Sequence, residues 1–360
     1  MRRTPYLNVE NSNMMGKEGS LQKVLDSITD GRLVFGTSFA IKKDSDTWIG
    51  ISGNITKDQP YFIASVTKLF TTAIILRLKS DGKLSLDDKI TYYFEDDIMQ
   101  GLHLYRGSDY SNELTIKNLL SHTSGLPDYF QDKGEDGKSL EEEWVNGCDQ
   151  YWSFQQLLAR IKKMKPLFPP GAKKRAHYSD ANFQLLGKLI EVITKKSYSE
   201  NCDDFIFKPL GLSKTYVYKD PTDRTPIAMY YKSNELHIPR AMTSTGPEGG
   251  MVSTSEELLT FIEAFFSGNL FPVHYINDLQ EWNNIFFPLQ AGIGIHKFQL
   301  PWLFNPTGRI PIFIGHSGIS GALAYHSPKE KLFVVGTVNQ VAHPELPFKI
   351  MIRLVQTLTK

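Results

Sequence analysis

Apolar residues recur with a helical period over residues 21–28 and then switch to strict alternation. The alternating stretches 36–41 and 47–51 read as strands, and the charged run Lys42-Lys43-Asp44-Ser45-Asp46 between them as a hairpin turn. From Ser65 the pattern changes again. Leu69, Phe70, Ala73, Ile74, Ile75 and Leu76 put apolar side chains on nearly every face of a helix that stops at Asp81-Gly82. Such a helix is buried on all sides. Helical periods follow over 115–120, 153–164, 182–194 and 254–266. Polar loops separate them, notably 128–146, rich in Gly, Asp and Glu. After Pro288 the pattern returns to strands, over 291–298, 310–315, 321–326 and 331–339, and closes in a helix over 345–358.

Strands at both ends with helices between them predict an α+β fold. An antiparallel sheet flanked by helices is built from both termini, residues 1–90 and 286–360, with a mostly helical domain, 91–285, inserted. Short turns between consecutive strands require antiparallel pairing. The cleft between two such domains is a preferred place for a ligand. No internal repeat or low-complexity segment interrupts the chain.

Lys68 conflicts with its surroundings, because an unpaired ammonium in a buried helix costs several kcal/mol. A buried lysine is therefore paired or neutral. Ser65 lies three residues earlier, one turn away on the same face. A lysine whose pKa is lowered by burial takes the proton of a neighbouring hydroxyl, which makes a serine nucleophile without a Ser-His-Asp triad. The same spacing occurs at Ser20/Lys23 and Ser80/Lys83, both in polar surroundings that read as solvated lysines. The bland account of the Ser65 copy is a serine capping the helix and a lysine reaching for water.

Composition removes other classes. A length of 360 residues fits two domains, and 41% apolar with 22% charged residues is ordinary for a soluble globular protein. A net charge of +1 gives no general attraction for nucleic acid. The basic clusters 162–165 and 173–175 read as a solvated helix end and loop, or, for the second, as a rim that draws anionic substrates. Cys148 and Cys202 offer one bridge at most. No His-Glu-x-x-His arrangement or paired ligand spacing supports a metal, and no cofactor is implied. No stretch is long enough to span a membrane. The start, Met1-Arg2-Arg3-Thr4-Pro5-Tyr6-Leu7-Asn8, lacks the apolar core of a signal peptide. The expected location is the cytoplasm, or outside it if an export signal has been removed.

Two later segments can meet the Ser65 helix. Tyr178-Ser179-Asp180 follows Pro169-Pro170-Gly171 and precedes a helical pattern, so Tyr178 on its loop can deliver a phenol beside Lys68 and shuttle protons. The plain alternative is a surface tyrosine with Asp180 as helix N-cap. Tyr110-Ser111-Asn112 is a weaker competitor in a polar loop. Gly315-His316-Ser317-Gly318 ends a strand, where glycines let backbone approach a ligand. The glycines 315, 318 and 321 do not form a nucleotide loop, because a strand rather than a helix follows.

In this order, Ser65-Val66-Thr67-Lys68, Tyr178-Ser179-Asp180 and Gly315-His316-Ser317-Gly318 resemble the motifs of the serine β-lactamase and penicillin-binding superfamily, most closely class C β-lactamases and low-molecular-weight DD-peptidases. Segments 119–127 and 249–254 resemble its helix-to-turn and glycine-rich segments, and the likeness spans roughly residues 62–339. The resemblance implies Ser65 as acylated nucleophile, Lys68 as its base, and Tyr178 as the proton carrier to the leaving group. It implies Asp180, His316, Ser317, Gly318 and Ile319 as substrate-binding residues, with the Ser65 and Ile319 N–H groups as oxyanion hole.

Two positions depart from the family. Asp180 stands where asparagine is usual, and an ionised aspartate cannot donate to a substrate carbonyl. Paired with Lys68, it raises the lysine pKa and weakens it as a base. His316 stands where relatives carry lysine or histidine. At a reference pKa near 6.5 it is partly cationic at neutral pH, so its grip on a carboxylate weakens as pH rises.

The expected function is a serine hydrolase acting through an acyl-enzyme on a small-molecule or peptide substrate: a D-amino-acid peptide, an ester or a β-lactam. A DD-carboxypeptidase or esterase is favoured over a dedicated β-lactamase. The rival is a penicillin-binding sensor, acylated without turnover. A Ser-His-Asp α/β-hydrolase is disfavoured, because the Gly-x-Ser-x-Gly elbow is missing. Oligomeric state is not legible.

Overall fold

A computed structural model describes Met14 and residues 16–359. The N-terminal stretch read for an export signal lies outside the described residues. Eight strands form one antiparallel sheet in the order Asn283–Phe286, Leu289–Ala291, His296–Phe298, Phe313–Ser317, Ala322–Ser327, Leu332–Thr337, Gly36–Lys43, Asp46–Gly53. The first hairpin of the chain thus pairs with its last strand, Ser38 opposite Thr337 and Lys43 opposite Leu332. The sheet is built from both ends of the chain, as the alternation predicted.

Both faces of this sheet are covered, and strand periodicity sorts the side chains. Phe39, Ile41, Leu323, Tyr325 and Val334 join one core with Leu21 and Leu25 of the helix Glu18–Asp26 and with Ile350, Met351 and Leu354 of the closing helix Leu346–Thr359. Their neighbours Ala40, Ala322, Ala324 and Val335 join the second, larger core. That core holds the helix Thr67–Ser80, in which eleven of fourteen residues are buried, and the helices Asp180–Thr194 and Ser255–Ser267. Small residues on this face of the sheet leave room for helices to seat closely. Truncating a fully buried aromatic such as Phe39 to alanine costs about 3–5 kcal/mol.

Three expectations need correction. The run 291–298 is not one strand but two, Leu289–Ala291 and His296–Phe298, because Gly294 turns the chain at φ 72°. The sheet also begins before Pro288, at Asn283–Phe286. The supposed loop 128–146 contains the helix Leu140–Val145. Ser139 and Glu142 form a capping box there, and three glutamates in its first turn suit the helix dipole. The cysteines form no bridge: Cys148 is exposed and Cys202 buried. Among the described residues no helix is long and apolar enough to cross a membrane.

Candidate active site

Ser65 does not cap a helix. It sits in a 3-10 turn, Ala64–Val66, that leads into Thr67–Ser80. Ala64 holds φ at +44°, a region L-residues rarely adopt, so the turn needs its surroundings to hold it. Gly318 is one such support. A Cβ there would lie 2.4 Å from the Ile63 carbonyl oxygen and 3.1 Å from the Ser65 nitrogen. The end of strand Phe313–Ser317 therefore packs directly on the serine's backbone. Ser65 itself is half-buried and lines a cleft, whereas Lys68 is fully buried. By contrast, Lys23 and Lys83 of the two other Ser-x-x-Lys copies are exposed.

Three segments converge on Lys68. Its ammonium donates to Ser65 Oγ at 3.1 Å, to Asp180 Oδ1 at 2.6 Å and to the Glu248 carbonyl at 2.8 Å. All three N–H bonds of the ammonium are used. Glu248 is brought there by the strand Met251–Ser253, which pairs with Tyr61–Phe62 just before the Ser65 turn. Asp180 is the first residue of its helix, with Ser179 and not Asp180 as N-cap residue. The 119–127 segment locks this corner. Ser179 N–H donates to His122 Nδ1 at 3.1 Å, Ser179 Oγ to the Pro127 carbonyl at 2.8 Å, and Asp180 N–H to Asp128 Oδ1 at 3.1 Å. Tyr178 is thereby held half-buried, its hydroxyl donating to Ser65 Oγ at 2.8 Å.

The electrostatics overturn one expectation and meet another. Burial alone pushes the Lys68 pKa down, but Asp180, Tyr178 and Glu248 outweigh it and hold the ammonium above its ordinary value. Lys68 is thus the paired lysine of the sequence argument, not the neutral one, and its partner is the anomalous Asp180. Burial and the neighbouring Asp180 charge push the Glu248 and Asp128 carboxyls well above the carboxylate range. Both are thereby pushed toward their protonated forms. Glu248 accepts the hydroxyl of Tyr129, whose own pKa rises through burial and Glu248. Burial also raises Tyr178, against the pull of Lys68.

His316 corrects the remaining expectation. It lies 2% exposed at the cleft wall, stacked on His296 with ring centroids 3.8 Å apart. Its Nδ1–H donates to the Ser317 carbonyl at 2.8 Å. Burial, His296 and Lys68 drive its pKa well below 6.5. The cationic form expected of it near neutral pH is thereby disfavoured, and its place in the cleft does not rest on a charge there. Ser317, Gly318 and Ile319 line the same cleft, and among the described residues the Ile319 N–H has no carbonyl acceptor. The basic residues Lys173, Lys174 and Arg175 are exposed and do not line it.

Sequence reasoning missed Asp128, Tyr129, Glu141, Glu248 and His296. Asp128 and Glu248 directly adjoin the 119–127 and 249–254 segments and lie one residue outside each motif. His296 carries no local signal at all.

A family model described as Beta-lactamase matches residues 21–355. The chain belongs to the Beta-lactamase family. The Putative D-alanyl-D-alanine carboxypeptidase of Escherichia coli (strain K12) is 29% identical, over 88% of this chain and 78% of that protein. Beta-lactamase-like protein 4 of Dictyostelium discoideum is 29% identical over 58% of this chain. This chain spans only 36% of that relative's length, and 64% of Penicillin-binding protein 4 of Amycolatopsis lactamdurans. Among solved structures, a D-stereospecific amidohydrolase from Streptomyces sp. superposes with a TM-score of 0.73 at 26% identity, covering 90% of this chain and 95% of its own. D-amino acid amidase from Ochrobactrum anthropi SV3 superposes at 0.78 with 21% identity, covering 95% and 99%. The latter likeness establishes the α+β fold with its helical insert.

Proposed function

We propose that this protein is a serine hydrolase that forms an acyl-enzyme on Ser65 and acts on esters or amides lacking a free carboxylate. One observation carries the reading: Ser65 Oγ accepts hydrogen bonds from both Lys68 Nζ and Tyr178 Oη within 3.1 Å. In the resting site Lys68 is charged and cannot accept a proton. Passing one proton across the 2.6 Å contact to Asp180 frees the amine. Lys68 then takes the Ser65 proton as Oγ attacks the carbonyl. The Ser65 and Ile319 N–H groups receive the oxyanion, where one such donor is worth about 3–4 kcal/mol. Tyr178 protonates the leaving group, and water later releases the acyl group.

The substrate class follows from the cleft wall. Its lining includes Gln131, Tyr178, Tyr231, His296, His316 and Ser317, and no lysine or arginine. With both histidines neutral, a substrate carboxylate finds no cation there. This favours esterase or amidase chemistry over removal of a C-terminal residue or opening of an anionic β-lactam. The D-amino-acid amide and peptide substrates named for its relatives fit this class when the carboxylate is blocked.

A protein acylated without turnover is the second reading, favoured by the fully engaged Lys68 ammonium. Incubation with a p-nitrophenyl ester and a fluorescent penicillin, beside Ser65→Ala, separates the two. Continuous nitrophenol release that Ser65→Ala abolishes supports the hydrolase. One equivalent followed by a flat line supports the sensor. Release unchanged in Ser65→Ala rejects both.

A further inference from the structure

Ser65 borders two spaces, not one. The first is the cleft with Tyr178, His296 and His316. The second is a cavity of about 60 Å³ on the other side of Ile319 and Glu141, walled chiefly by Phe130, Trp144, Met229, Leu236, Ile238 and Met242. Resting on the hydrolase reading, we propose that this cavity is the acyl pocket. The substrate's acyl half then carries an uncharged aliphatic chain of about two to four carbons beyond the carbonyl, since a cavity of about 150 Å³ holds benzene.

The two halves of the substrate are assigned by the proton donor. A departing alkoxide or amine must be protonated as its bond to the acyl carbon breaks. The Tyr178 hydroxyl, 2.8 Å from Ser65 Oγ, lines the cleft and not the cavity. The leaving group therefore lies in the cleft, and the acyl group points the other way. In acylation the Ser65 oxygen bonds to the acyl carbon. The leaving-group bond breaks with its electron pair, the leaving group takes the Tyr178 proton, and the Ser65 proton, held by Lys68, restores the phenol. Water then attacks the acyl carbon, releasing the acid and returning the proton to Ser65.

The cavity's chemistry sets what it accepts. Trp144 packs edge-on against Phe130 at 4.9 Å, and Trp144, Ile238 and Met242 are almost fully buried. Its polar lining residues are Ser65, Thr245 and the acidic Glu141, Asp180 and Glu248, with no lysine or arginine. Burial raises Glu141 above the usual carboxylate value, against the hydrogen bond from Gln131. An acidic acyl chain would enter a space lined by three acidic residues and no lysine or arginine, where an unpaired charge is heavily disfavoured. An aliphatic chain meets a wall that matches it.

The test is kcat/KM across p-nitrophenyl acetate, propanoate, butanoate, pentanoate and octanoate, with the p-nitrophenyl monoester of succinic acid as the charged comparison. Each methylene up to pentanoate is expected to raise kcat/KM about fourfold, from the free energy of burying one CH₂ group. Octanoate should bring no further gain, and the succinate ester should fall at least about tenfold below pentanoate. Met242→Ala, which deepens the cavity, should move the best chain length upward by at least one carbon. A flat series with Ser65-dependent acetate turnover overturns the pocket and leaves the hydrolase reading standing. So does succinate turnover equal to pentanoate, or an unmoved optimum in a folded Met242→Ala. Absence of Ser65-dependent turnover on every ester overturns both.

Discussion

Two sets of ionisable side chains crowd the centre of this molecule, and burial has treated them in opposite ways. Around Lys68 stand three carboxyls, Asp128, Asp180 and Glu248. Around the Tyr178 ring stand three imidazoles, His122 at 4.6 Å, His296 at 5.8 Å and His316 at 6.4 Å between centroids. Loss of water disfavours whichever form is charged. The Asp128 and Glu248 carboxyls are therefore pushed toward their protonated forms. The histidines refuse protons they would normally take, His296 down to about 3. Burial works against charge in both sets, and the Lys68–Asp180 ion pair stands between them. The chemistry of the site then turns on one ion pair, set among groups whose charged forms burial disfavours.

Breaking that pair is the largest perturbation available. Lys68→Met leaves Asp180 buried without its partner, which typically destabilises by about 3–5 kcal/mol. Lys68→Met/Asp180→Asn removes both charges and should recover most of that loss, although neither variant retains activity. Urea unfolding of the parent, Lys68→Met, Asp180→Asn and the double variant checks this. Losses that simply add in the double variant would mean that the two residues do not form a coupled pair.

Asp180→Asn sharpens the comparison without emptying the site. Asparagine keeps the shape and removes the charge that overrides burial at Lys68, so burial, the largest influence on this lysine, then sets the direction. The lysine pKa falls, by about one unit or more for loss of one close opposite charge. With no Asp180 to take the lysine proton internally, kcat/KM of the variant should instead rise with pH through the lowered lysine pKa, which gives it an acid limb distinct from the parent's. A limb that stays in place would assign it to a group other than Lys68.

How far the sequence could see into this arrangement follows from the kind of signal each residue leaves. Helix and strand periods, caps and the ordered motifs lie within short stretches, so the sheet built from both ends and the meeting of Ser65, Lys68 and Tyr178 were legible. The anomaly at Asp180 was legible too, and its pairing with Lys68 was foreseen as one branch. The state of His316 was not, because it depends on burial first and then on His296. That residue is far along the chain and comes beside it only when His296–Phe298 pairs with Phe313–Ser317. The helix Leu140–Val145 was hidden by its own charge: Glu141, Glu142 and Glu143 read as loop until Leu140 and Trp144 are seen buried beneath them.

The smallest effect separates the two sets by the sign of their pH dependence. His296 ionises near 6.5 when unfolded and near 3 when folded. Its stabilising contribution is complete above pH 6.5 and is lost as pH falls, at about 1.4 kcal/mol per unit. Glu248 behaves inversely, its folded pKa lying well above the ordinary 4.5. Its contribution is complete below 4.5 and is lost as pH rises towards the folded value, at the same limiting rate. His296→Phe therefore gains stability relative to the parent as pH is lowered from 7 to 5, by about 2 kcal/mol. Glu248→Gln, which keeps an acceptor for Tyr129 and cannot ionise, gains relative to the parent as pH is raised from 5 to 8. Unfolding free energies of the three proteins across this range should give difference curves of opposite slope. Parallel curves would mean that one of the two groups keeps its charge inside the fold, and that burial has not neutralised both sides of the site.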